Sequence, residues 1–166
     1  MMHQELLDKM LDSYVRYYDI KREDVTPPFA AEASFRSHEQ QYFLVKSARL
    51  SESESREYVF FADTDTLTLS ELQRLDETAW QTTMDRVEPH PEHRSTDCTL
   101  FVLANQVEAE AASFSKKIKH YRSYHHMFWG WSHYSLVLIE VPTGRIMTNK
   151  NGRSLTSLVE KVMHNQ

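Results

Sequence analysis

Residues 135–141, Ser-Leu-Val-Leu-Ile-Glu-Val, are followed by Pro142-Thr143-Gly144 and then by Arg-Ile-Met-Thr-Asn over 145–149. The first run is nearly continuously apolar and reads as a strand. Proline and glycine supply the turn, because one presets φ and the other tolerates positive φ. The third run then reads as an antiparallel partner, closed by Asn151-Gly152. Working upstream, residues 57–62 (Glu-Tyr-Val-Phe-Phe-Ala) and 97–103 are rich in β-branched and aromatic side chains and predict two further strands. Residues 29–36 and 41–50 flank a polar Ser-His-Glu-Gln turn and predict a hairpin.

Four segments carry a helical period instead. Leu6, Leu7, Met10, Leu11, Tyr14, Val15 and Tyr18 recur at steps of three and four and predict a helix over 4–18. Thr68 and Glu71 have capping-box spacing ahead of the stripe Leu72, Leu75, Ala79, Trp80, Thr83, Met84 and Val87. Asn105 with Glu108 is a similar start for Val107, Ala111, Phe114, Ile118, Tyr121 and His125. Ser154 is expected to cap a last helix with Leu155, Leu158, Val159, Val162 and Met163. The order α-βββ-α-β-α-ββ-α predicts an α+β fold, a mixed or mostly antiparallel sheet with helices packed on it. At 166 residues the expectation is a single globular domain over 1–166.

Composition narrows the function classes. Nineteen Lys and Arg against 24 Asp and Glu leave a net charge of −5, which disfavours coating a polyanion through the overall field. One cysteine, Cys98, excludes an internal disulfide and fits a reducing compartment. No run approaches the roughly 20 apolar residues of a membrane span, and the first residues lack a signal-peptide pattern, so the expectation is a soluble, cytoplasmic protein without a membrane partner. Gly130, Gly144 and Gly152 are the only glycines, too few and too scattered for a phosphate loop or a dinucleotide fingerprint. No cofactor is implied.

Against this acidic background, residues 111–139 contain no Asp or Glu. They carry Lys116, Lys117, Lys119 and Arg122, and four of the nine histidines, His120, His125, His126 and His133. Tyr121, Tyr124, Phe128, Trp129, Trp131 and Tyr134 are interleaved. The histidines lack a ligand spacing, and adjacent His125 and His126 diverge on any regular element, so no metal site is predicted. Basic and aromatic residues together suit a contact surface, with tyrosine and tryptophan as favoured anchors. The predicted binding residues are Lys116, Lys119, Arg122, Tyr124, His125, Trp129 and Trp131. The expected role is a non-catalytic binding or accessory module whose surface spans residues 116–134. Its partner is expected to be a protein or a second copy of the chain, with nucleic acid less favoured.

An alternative begins at Asp63 and Asp65, which follow the 57–62 strand in Ala-Asp-Thr-Asp-Thr and are expected in a turn leading to Thr68. Two carboxylates and a lysine, here Lys46, are the elements of a metal-dependent phosphodiesterase. The α-βββ-α-β order of the first 105 residues resembles the core of restriction-endonuclease-like folds, which implies such an activity. The chain departs from that pattern where it matters. The acid-x-lysine motif belongs on the third strand, where this sequence has no lysine, and Leu44 stands two residues before Lys46.

Overall fold

The computed structural model describes residues 1–36 and 54–165; the expected strand over 41–50 and Lys46 lie outside the described residues. Seven strands among them form one mixed sheet, with helices on both faces. The elements are α1 (His3–Tyr14), β1 (Asp19–Lys21), β2 (Ala31–Arg36), β3 (Glu54–Leu67), α2 (Leu69–Arg86), β4 (His93–Val107), α3 (Ala109–Lys117), β5 (Tyr121–Ser123), β6 (Trp131–Glu140), β7 (Arg145–Thr148) and α4 (Thr156–His164). The sheet runs β1-β2-β3-β4-β6-β5, with β7 also on β6. Tyr121 pairs with His133 and Arg145 with Glu140, so β5 and β7 share the edge of β6 that β4 leaves free. The β3–β4 and β4–β6 pairs are parallel, and the others are antiparallel. The α+β class and the mixed sheet are therefore as the sequence indicates.

The apolar runs are continuous because the central strands are covered on both sides. Phe60, Leu100, Val102, Leu136 and Leu138 pack with Leu72, Leu75 and Ala79 of α2 and Ala111 of α3. The alternate residues Val59, Phe61, Phe101, Leu103, Val137 and Ile139 pack with Leu6, Leu7, Met10 and Leu11 of α1 and Val159 and Val162 of α4. Each fully buried Leu or Phe contributes about 1.5–3 kcal/mol, so these two layers are the main source of stability. Thr68 caps α2 as expected, with the Glu71 N–H donating to Thr68 Oγ1 at 3.1 Å, while the Glu71 carboxylate accepts from the Thr64 hydroxyl at 3.2 Å.

Several boundaries differ from the sequence reading, and each difference has a tertiary cause. The first helix ends at Tyr14 rather than Tyr18, because residues 19–21 turn to pair with 32–34. β3 and β4 are longer than expected, staying paired from Glu54/His93 to Leu67/Val107. Asp63 and Asp65 thus lie inside a strand, not in a turn, and Asn105 lies in β4 rather than capping α3. The third helix stops at Lys117, well short of His125, because β5 pairs with β6 instead. Ser154 does not cap the last helix; it sits in the 3-10 turn Asn151–Leu155 that precedes α4. Asn149 organises that region. Its buried Oδ1 accepts from the N–H groups of Leu136 (2.9 Å) and Gly152 (2.8 Å), while Nδ2 donates to the carbonyls of Ile118 and Tyr134. A Cβ on Gly152 would come 2.4 Å from the Leu136 carbonyl oxygen, so only glycine permits this approach.

Candidate binding site

The acid-free segment forms an arm. After α3 the chain crosses to β5, turns through residues 124–130 and re-enters the sheet as β6. Within the turn the Tyr124 N–H donates to the Gly130 carbonyl (3.0 Å) and the Trp129 N–H to the Tyr124 carbonyl (3.1 Å). Three successive non-glycine residues are left-handed, His125 at φ 50°, His126 at 52° and Met127 at 73°. Each costs roughly 1–2 kcal/mol relative to the right-handed region. The result is a tip on which Met127 is 56% and Phe128 78% exposed.

The base of the turn is clamped. Buried His93 donates from Nδ1 to the Trp129 carbonyl at 2.6 Å, and its Nε2 is hydrogen-bonded to the Thr96 hydroxyl at 2.7 Å. Gly130, at φ 88°, lies so close to β4 that a Cβ would sit 2.2 Å from the Arg94 carbonyl oxygen. The Tyr124 hydroxyl pairs with Ser132 at 2.9 Å, so Tyr124 is buried in the clamp and offers no outer surface. Trp129 and Trp131 are half-buried, and His125 stacks on Trp129 with centroids 4.6 Å apart. Lys116, Lys117, Lys119 and Arg122 are all exposed, and Tyr121 stands on the edge strand rather than in a buried helical stripe.

Beside the arm, a polar row crosses the sheet on the face shared with α1. Glu57 is in register with Asp97, and Tyr121 with His133, which follows directly on Asp97 across the β4–β6 pair. The Tyr18 hydroxyl donates to Glu57 Oε1 at 2.7 Å, and Asp97 Oδ1 accepts the His133 N–H at 2.9 Å. Burial pushes the Glu57 carboxyl up; the Tyr18 bond opposes this and the Asp97 charge adds to it. Burial likewise raises Asp97, against the pull of the His133 N–H and of His133 and His93. Two neighbouring carboxyls that hold their protons more tightly than usual can exchange a proton with a hydrogen-bonding group.

A family model described as a domain of unknown function (DUF8052) matches residues 2–161. The chain belongs to the DUF8052 family. No curated protein and no solved structure matches it. The matched span of the DUF8052 chain includes the arm, its clamp and the polar row.

The remaining predicted residues of the DUF8052 chain are dispersed. His120 faces away from the other histidines: its Nε2 donates to the buried Asp76 carboxylate at 3.0 Å, and its ring stacks on Trp80 at 5.1 Å. His133 lies against Tyr121, and His125 against Trp129. Asp63 binds His3, while Asp65 accepts from Asn105 Nδ2 at 2.7 Å. Among the described residues no group of three or more His, Cys, Asp or Glu is arranged to hold a metal ion, and no helix is long and apolar enough to cross a membrane. Sequence reasoning missed Glu57 and Asp97 as site residues. The available signal was an acid at the start of each of two expected strands, which only register makes into a pair.

Proposed function

We propose that the protein is a cytoplasmic binding module whose contact surface is the arm over residues 116–134. Its partner is another protein, with an apolar pocket lined by acids. The observation that carries this reading is the left-handed run at 125–127, which holds Phe128 out in water. Strain of this kind persists only where the surrounding structure enforces it, and it gathers at sites of recognition. Here His93 and the Gly130–Arg94 contact enforce it. Phe128 with Met127 supplies the apolar anchor, and the half-buried tryptophans add the residue type that dominates binding energy. The absence of acids over 111–139, with Arg122 and the three lysines exposed, selects an acidic rim by charge complementarity. The cytoplasmic assignment is supported by the one thiol, Cys98, which is free and buried.

A photo-crosslinking phenylalanine at position 128, compared with one at exposed Glu160 on α4, tests the reading. A discrete adduct from 128 alone, lost in a Lys119→Glu/Arg122→Glu variant, is the expected result. The same adducts from both positions, or none from 128, overturn it. An adduct of twice the chain mass identifies a second copy as the partner, and labelled DNA or RNA captured at 128 replaces the protein partner with nucleic acid.

A further inference from the structure

The N-terminus of α1 is tied to the opposite end of the parallel strands by an unbroken hydrogen-bond chain. His3 Nδ1 contacts Asp63 Oδ1, and His3 Nε2 contacts Asn105 Oδ1 at 2.8 Å. Asn105 Nδ2 in turn donates to Asp65 Oδ1 at 2.7 Å. That last bond fixes which end of the amide faces the imidazole, because exchanging Oδ1 and Nδ2 would set an oxygen acceptor against the Asp65 carboxylate. Both ring nitrogens of His3 therefore face acceptors, and an imidazole satisfies two acceptors only when it carries two protons. The Asp63 side chain is 39% exposed, so its carboxylate stays in contact with water and is the acceptor of this pair.

We infer that His3 is an imidazolium whose two N–H groups latch the first turn of α1 across the ends of β3 and β4, so that loss of one proton loosens the seat of this helix. The chain alternates in sign, from Asp63 through the imidazolium and the Asn105 amide to Asp65. Several charged groups on the neighbouring elements have partners elsewhere. Glu140 of β6, beside Ala104 in register, accepts from the Val107 N–H and lies near Arg145 of β7. On α1 itself Lys9 pairs with Glu5 and donates to the Asn165 carbonyl beyond α4, and Asp8 is held by Arg22. α4 carries Glu160, Lys161 and His164 towards its end. The latch matters because α1, together with α4, covers one layer of core. Leu6, Leu7, Met10 and Leu11 lie over Phe61, Phe101 and Val137, and the same helix leads to Tyr18 on Glu57.

Nitrogen-15 histidine spectra of the full chain test the inference directly. At pH 7.5 both His3 ring nitrogens are expected to be of the protonated type. In Asp63→Asn, His3 is expected to revert to a neutral tautomer. Hydrogen exchange supplies a readout of the helix. After correction for intrinsic rates, protection of the Leu6 and Leu7 amides should fall about fivefold between pH 6 and pH 8.5, the equivalent of one ordinary hydrogen bond. In His3→Gln the protection should not depend on pH. A neutral His3 in the unaltered protein, or the same pH dependence in His3→Gln, overturns the latch.

Discussion

The three parallel strands β3, β4 and β6 carry acids at both ends, and Glu57 and Asp97 are held differently from the acids at the C-terminal end. At the C-terminal end Asp63, Asp65 and Glu140 lie at or near the surface, each with a partner. Glu140 is held below the ordinary carboxylate range by the Val107 N–H and the Thr143 hydroxyl, with Arg145 adding to the effect. Towards the N-terminal end Glu57 and Asp97 are sunk beside one another and both are pushed up, chiefly by burial. The same end bears the left-handed tip and its clamp. The acids at the C-terminal end have partners, whereas the other end keeps two carboxyls and a stretch of backbone in costly states. Such costs collect where a protein recognises something.

The comparison can be broken most forcefully at Gly130. Gly130→Ala sets a Cβ against the Arg94 carbonyl at positive φ and should cost about 3 kcal/mol, measured by chemical unfolding. A loss as small as an exposed-loop substitution would mean that the tip is not clamped.

Next come the half-buried carboxyls Glu57 and Asp97. Their folded-state pKa values lie above the unfolded ones, so the folded protein keeps protons that the unfolded chain has released. Their contribution is therefore most favourable at or below the ordinary carboxylate range and declines as pH rises through the raised values. Glu57→Gln, or Asp97→Asn, should stabilise the protein at pH 7–8 by on the order of 1 kcal/mol and leave it unchanged near pH 4. Destabilisation at neutral pH would show that the carboxylates are needed as charges.

Glu140→Gln should act with the opposite sign and less strongly. Its lowered folded-state pKa gives stability that is present above the ordinary carboxyl range and lost as pH falls through the lowered value. Because Arg145 is half-exposed and a Gln carbonyl can still accept the Val107 N–H, the loss at pH 7 should be a few tenths of a kcal/mol and absent in acid. Equal pH responses of Glu57→Gln and Glu140→Gln would erase the difference between the ends. Phe128→Ser should have the smallest effect on folding, under about 0.5 kcal/mol, because the ring is already in water. A large destabilisation would place Phe128 in the fold rather than on a contact surface.

Much of the architecture was legible in local pattern. The apolar runs around Phe60, Leu100 and Leu138, the Thr68 cap and the helical stripe from Leu72 all appear as the sequence indicates, since each depends on neighbours within a few residues. The site was legible in part. The acid-free stretch marked the arm, but its period suggested a helix running to His125, and pairing of β5 with β6 overrode that period. Asp63 and Asp65 drew attention as adjacent acids, yet they are strand residues tied to His3 and Asn105, far along the chain.

The sequence by itself determined the alternation of strands and helices, the α+β class and the segregation of basic and aromatic residues into one stretch, because composition and period are properties of contiguous chain. Only the tertiary structure decided which acids are brought together, which end of the sheet carries the strained turn and which histidine receives which partner. Those depend on register between strands tens of residues apart: a slip of one residue would exchange every face, and no local pattern encodes it.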